Sequence, residues 1–257
     1  MNLHFHTKLV FVFSLVLCSF ITFGQKLEIG TSIGVCQYKG DVMPSYRIFM
    51  ARPGGGVFVR YNLSRAVSVK AQGIIGVLRG NDTHLRNEPL HTARQYSFTN
   101  VFKDFGVQVE YNFLNFRTNQ SRIISNWTPY VLAGGGINYS QINAKYWSFN
   151  PSSPFNSFST KSNPNYLSLG VGFKKQWKQQ WNWGVEFGTR WTNTDFLDGL
   201  GYYSDGSYAV TSSATTGFVS PYLRQKFSVP GTLSKDIYYY TNFSISYLFY
   251  KVHCPKR

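Results

Sequence analysis

Glu28, Arg60, Lys70, Asp104, Glu110, Glu186 and Arg190 draw attention first. In a chain with only 14% charged residues, each interrupts the same side of a run that otherwise alternates apolar and polar. A charge on an enclosed face is costly unless it is paired. Both signs occur in this set, so it reads as an internal ion-pair network. A proton or solute pathway through the same residues would need a wider lumen than the strands below allow.

Other residues could support other chemistries. His84, Glu88, His91 and Ser97 offer the groups of a hydrolytic site, but catalysis needs nucleophile, base and orienting group to converge, and nearness along the chain does not supply that. Gly134–Gly136 could cradle a phosphate; with no helix signal and no following lysine, a backbone role in close packing or curvature fits better. Asp195, Asp198 and Asp205 lie in TNTDFLDGLGYYSDG, 192–206, where a cation or partner contact competes with a hydrated, turn-rich loop. Cys36 and Cys254 form neither a disulfide framework nor a metal cluster and are expected to remain unpaired within one chain. The expectation is therefore no catalytic residue, no metal ligand, no cofactor and no enzyme.

The elements that position these residues are strands. In Trp181–Thr192, Trp181, Trp183, Val185, Phe187, Thr189 and Trp191 share one face, and Asn182, Gly184, Glu186, Gly188, Arg190 and Thr192 the other. An apolar face with aromatic ends, backed by a polar face with small residues, suits a lipid-facing barrel strand. The same alternation predicts strands at Leu27–Val35, Val57–Leu63, Val67–Val77, Val101–Phe113, Trp127–Tyr139, Tyr166–Trp177 and Ile237–Tyr250. Gln37–Gly56, Leu78–Asn100, Ser140–Asn165 and Asn193–Asp236 read as long loops, the last with a partial strand at Phe218–Phe227. Asn62–Ala66, Leu114–Asn126 and Lys178–Gln180 are the shorter connections. Long and short links alternate, which predicts an all-β fold: an eight-stranded antiparallel transmembrane β-barrel with four long external loops, short periplasmic turns and both termini on the periplasmic side. Eight strands leave an interior filled by side chains.

Lys8 followed by the apolar run Leu9–Phe23 reads as a secretory leader, so residues 1–24 are expected to be a signal peptide and 25–257 a single barrel domain in the outer membrane. No later run is apolar for long enough to cross a bilayer as a helix, so spanning must be by strands. Aromatic residues reach 18% and the formal charge is +15. The basic residues are dispersed, and no nucleic-acid motif accompanies them, so membrane lipids rather than nucleic acid are the expected contact.

EIGTSIGVCQYKGD at 28–41, VRYNLSRAVSVKAQGIIGVLRGND at 59–82, EYNF at 110–113 and TPYVLAGGGINY at 128–139 occur in an order that resembles the PorG-like family of small Bacteroidota outer-membrane barrels. LSLGVGFKKQW at 167–177, WGVEFGTRWTNTDFLDGL at 183–200, YYYTNFSISYLF at 238–249 and the terminal CP at 254–255 extend the resemblance over essentially the mature chain. It implies a non-enzymatic component of type IX secretion or gliding machinery, contacting a periplasmic ring lipoprotein and its associated ring protein. Surfaces near the short turns and termini then become candidate periplasmic contacts: Arg65, Arg117, Arg122, Lys174, Lys175, Lys178, Lys251, Lys256 and Arg257. The alternative is an external ligand-binding or adhesion barrel acting through its long loops.

Overall fold

The structure is a computed structural model, and it describes residues 27–40, 42–43, 47–82, 96–114, 116, 126–147, 155–178, 180–202, 208–209 and 235–249. Alternation with period two, reinforced by β-branched and aromatic residues, produces long antiparallel strands. They are β1 (Leu27–Lys39), β2 (Arg52–Asn62), β3 (Val67–Asn81), β4 (Ser97–Asn112), β5 (Trp127–Trp147), β6 (Phe155–Ser162), β7 (Asn165–Lys178), β8 (Trp181–Thr192), β9 (Gly201–Tyr202), β10 (Tyr208–Ala209) and β11 (Ile237–Phe249). The main sheet runs β4-β3-β2-β1-β11-β8-β7-β5, and β4 also pairs with β5, closing eight strands into a barrel. The seam joins the first strand to the last, with Leu27 opposite Phe249 and Lys39 opposite Ile237. Closure leaves no open edge within the bilayer.

Inside and outside alternate along each strand. On β8 the even-numbered residues Asn182 to Thr192 are all buried, while Trp181, Val185, Phe187 and Trp191 are exposed. Ten steps from Trp181 to Trp191, at about 3.4 Å each and a tilt of about 40°, give an apolar belt about 26 Å tall, the height of a barrel's lipid-facing band. Near the short turns, Trp127 stacks on Phe173 at 5.6 Å, Phe173 meets Trp183 at 5.8 Å and Trp183 stacks on Phe243 at 6.1 Å. These contacts form an aromatic girdle across β5, β7, β8 and β11.

The strands run further than the apolar pattern indicates. β2 begins at Arg52 and takes in Pro53 and Gly54–Gly56, which the sequence reading placed in a loop. β5 has 21 residues and continues through Trp147. Much of the expected loop Ser140–Asn165 is therefore strand. β6 pairs with β5 from Ser140↔Ser162 to Trp147↔Phe155, and β7 pairs with β5 in the same register from Ile137↔Asn165 downwards. β6 and β7 are thus one strand interrupted at Asn163–Pro164, where proline has no N–H to give to the ladder. Its carbonyl still accepts from the Asn138 amide at 2.9 Å.

Beyond Tyr139 the polarity of the faces reverses. Within the belt, Val131, Ile137 and Tyr139 face outwards; above it Gln141, Asn143 and Lys145 do, while Ile142 and Ala144 are buried. The upper parts of β3, β4, β5 and β6 form a wall standing clear of the belt on one side of the barrel. Leu78, Phe98 and Ile142 line its inner face.

Gly134–Gly136 serves the backbone role. Gly106 pairs with Gly136, and a Cβ on Gly136 would sit 2.6 Å from Tyr166 Oη. Removing side chains at both positions makes room for the Tyr166 ring. Gly136→Val is expected to displace that ring and destabilise the barrel by about 1–3 kcal/mol, read as a lower urea midpoint in refolding from vesicles.

Candidate functional site

Each of the eight barrel strands contributes a side chain to one polar layer near the short turns: Glu28 from β1, Arg60 from β2, Lys70 from β3, Glu110 from β4, Tyr130 from β5, Lys174 from β7, Glu186 from β8 and Ser246 from β11. Arg60 Nη1 donates to Glu28 Oε1 at 2.8 Å and Nη2 to Glu110 Oε1 at 3.1 Å. Arg60 Nε also lies 2.9 Å from Glu110 Oε2, an ion-pair contact whose angle falls outside hydrogen-bond geometry. Lys174 donates to Glu110 Oε2 at 3.1 Å, and Lys70 lies 3.5 Å from Glu110 Oε1 while bonding Glu186. Tyr130 Oη donates to Glu186 at 2.9 Å, Asn182 to Glu28 at 3.2 Å, and Ser246 also bonds Glu28. Lys174 sits 4.9 Å from the centre of the Tyr130 ring and Arg60 5.0 Å from that of Phe58, so aromatic faces complete the cations' surroundings.

A second layer lies nearer the long loops. Asp104 is fully buried and accepts from Tyr238 Oη at 2.8 Å and from Tyr166 Oη, with Arg190 Nε 3.1 Å away as an ion pair. The Arg190 guanidinium lies 5.2–5.7 Å from the ring centres of Tyr166, Tyr238 and Tyr240. Across both layers Glu28, Asp104, Glu110 and Glu186 balance Arg60, Lys70, Lys174 and Arg190. Matched charges that are also hydrogen-bonded meet the condition for burial.

Above them the long-loop end is capped. Tyr38, Val42, Met43, Tyr96, Phe98, Leu197 and Leu200 are all at most 2% exposed and form one apolar cluster with the wall. Tyr38 Oη lies 2.8 Å from Asp198 Oδ2 and 2.7 Å from Asp236 Oδ1; its single proton goes to one of them. Asp198 Oδ1 accepts from the Leu200 amide at 2.8 Å, and Asp236 Oδ2 from the Leu197 amide at 2.7 Å. Gly199, at φ 87°, supplies the left-handed turn that folds 197–200 over the barrel mouth.

All seven residues expected in the interior lie there, each at most 4% exposed. Lys174 requires a correction. It was expected on the short-turn rim, but it is 2% exposed and bonds Glu110, because β7 runs to Lys178 and its alternation carries Lys174 inwards. Arg65, Lys175 and Lys178 are exposed at the short-turn end; Arg117, Arg122, Lys251, Lys256 and Arg257 fall outside the described residues. Asp198 requires a second correction: it is 1% exposed, and it builds the cap instead of lying in a hydrated loop. Asp205, His84, Glu88, His91, Cys254 and the possible strand Phe218–Phe227 are likewise outside the described residues, as is the expected signal peptide. Cys36 is a buried free thiol. Among the described residues no group of three or more His, Cys, Asp or Glu side chains is placed to hold a metal.

Tyr130, Tyr166, Tyr238, Asn182 and Ser246 also belong to the network, though the pattern of charges in the sequence does not mark them. Their inward parity was the available signal, and aromatic or neutral side chains on that face drew no notice beside the charges.

A family model described as a domain of unknown function (DUF6089) matches residues 6–255. No curated protein matches the chain. Among solved structures, the N-terminal β-barrel domain of Pseudomonas aeruginosa OprF matches at 11% identity over 88% of this chain and 99% of its own, with a TM-score of 0.42. The attachment invasion locus protein Ail of Yersinia pestis, in complex with a heparin analogue, matches at 12% identity over 88% and 100%, with a TM-score of 0.42. A major outer membrane protein from Thermus thermophilus matches at 12% identity over 87% and 99%, with a TM-score of 0.45. The closed eight-stranded wall and its outward apolar belt give the molecule the form of a transmembrane β-barrel.

Proposed function

The chain belongs to the DUF6089 family, and from the geometry of its barrel we propose that it is a sealed scaffold acting through its rims, with a binding or adhesion surface at the long-loop end. The filled interior carries this reading. Two layers of paired charges and an apolar cap occupy the lumen, so the surfaces available for work are the ends of the barrel. The long-loop end holds the more elaborate structure, with the raised wall and the folded 197–200 segment. In this reading residues 1–24 are a signal peptide, the termini lie in the periplasm and the long loops face outwards.

A second reading rests on the resemblance to PorG-like barrels. The barrel then anchors type IX secretion or gliding machinery, and Arg65, Lys175 and Lys178 at the short-turn end meet the periplasmic ring lipoprotein and its associated ring protein. Arg117, Arg122, Lys251, Lys256 and Arg257 are further candidates for that contact. The exposed cations there offer an electrostatic surface to an acidic partner.

One experiment separates the readings. A photocrosslinking residue is placed at Lys178 in one strain and at Asn143 in another, in native outer membranes, followed by mass spectrometry. The binding-barrel reading expects a specific external ligand to be captured at Asn143 and no ring component at Lys178. Reproducible recovery of the ring lipoprotein from Lys178 would replace it with the anchoring reading. Both readings expect no ion conductance above background from the purified barrel in planar bilayers; stepwise conductance would overturn the sealed lumen on which they depend.

A further inference from the structure

The outward face of the raised wall carries Arg79 on β3, Lys103 on β4, Lys145 on β5 and Lys161 on β6, all exposed. The register places them in one field. Arg79 is opposite Thr99, which is opposite Asn143, itself opposite Ser159; Lys161 is opposite Gln141 and Lys103 is opposite Tyr139. With strands about 4.8 Å apart and alternate residues about 6.8 Å apart along a strand, Arg79 to Lys145 and Lys103 to Lys161 are each about 12 Å between backbones. Long flexible side chains can converge from that spacing on one anionic group.

Every cation in the two lumen layers has a carboxylate partner, whereas among the described residues none of these four forms an ion pair or a side-chain hydrogen bond. Neutral polar groups such as Thr99, Asn143 and Ser159 stand between them, and among the described residues no acid shares this face. The patch overlaps the upper edge of the apolar belt, where Lys103 and Tyr139 share a level and Val101 stands one outward position beyond Lys103, and it extends about 20 Å along the strands. That is the zone directly outside the hydrocarbon, where lipid headgroups lie.

We propose that Arg79, Lys103, Lys145 and Lys161 form a lateral binding surface for the phosphate groups of membrane lipids in the leaflet at the long-loop end. The occupant is a lipid whose chains lie against the belt and whose phosphates sit on the wall. This goes beyond the binding role above, because the ligand comes from the membrane plane and not from the medium. Cations near an anionic surface act nearly additively, so the loss on removing all four is expected to be large.

The test uses the folded barrel in dodecyl maltoside, titrated with diphosphoryl lipid A and with its dephosphorylated counterpart, with bound lipid counted by native mass spectrometry. The wild type is expected to prefer the phosphorylated lipid, and the variant R79Q/K103Q/K145Q/K161Q to bind it about tenfold or more weakly. The variant R65Q/K175Q/K178Q, altered at the opposite end, is expected to bind as the wild type does. Heat-modifiable gel mobility verifies that each variant is folded. Equal affinity in the wild type and the quadruple variant would overturn the proposal, as would indifference to the phosphates. Displacement of the lipid by inositol hexakisphosphate at equal concentration would overturn the lipid as occupant and make the wall a site for soluble polyanions. None of these outcomes depends on what is crosslinked at Lys178 or Asn143.

Discussion

Glu110→Gln is expected to destabilise the barrel by about 3–5 kcal/mol, the cost of leaving buried charge unmatched. Glu110 is completely buried and receives Arg60, Lys174 and Lys70 at 3.5 Å or less. Without its charge, Glu28 and Glu186 face three cations in the same layer, and the glutamine amide adds donors where only acceptors are wanted. Equilibrium unfolding in urea from phosphatidylcholine vesicles gives the measurement, read as the loss of heat-modifiable mobility. A second substitution, Lys174→Met, restores the charge count while keeping an unbranched apolar stem, and is expected to recover a substantial part of the loss. If Glu110→Gln unfolds at the wild-type midpoint, the charged layer contributes nothing to the fold and the account of the interior fails.

The second large effect comes from outside. Val107 lies near the middle of the apolar belt on β4, 54% exposed, and Asn143 lies above the belt on β5. Val107→Arg is expected to cost about 2–4 kcal/mol, the penalty for arginine at the bilayer midplane. Asn143→Arg, placed outside the hydrocarbon, is expected to change stability little. The comparison is made by the same unfolding measurement. Equal costs at the two positions would mean that the belt and the wall share one environment, contradicting the polarity reversal at Tyr139.

The eight-stranded barrel was legible because lipid forces the strongest possible contrast between the two faces of a strand. Trp181–Thr192 carries that contrast without interruption, and its boundaries match the structure. The inward position of the charges could be read from the same alternation. The strand ends were not, and β5 shows why. Above Tyr139 the exposed residues Gln141, Asn143 and Lys145 stand beyond the hydrocarbon, while Ile142 and Ala144 turn into the cap. The period of two persists but its phase inverts, so a search for outward apolar residues stops at the edge of the membrane. Pro164 and its neighbouring asparagines hid the continuity of β6 and β7 for a local reason: they carry turn chemistry within a strand. Asp198 was misjudged because a short, glycine-containing acidic segment looks hydrated until distant Tyr38 is brought against it. That contact spans most of the barrel in sequence, and no local pattern encodes it.

The seam between β1 and β11 sets the order of events in time. Leu27 cannot find Phe249 until almost the whole chain has been delivered. Until then the first strand holds Glu28 without Ser246, and the growing sheet has two raw edges. Synthesis and closure are therefore separate episodes, and the interval between them belongs to whatever escorts an unfinished chain. A chain cut short before Ile237 lacks its closing strand, and no slower rate of folding compensates for that.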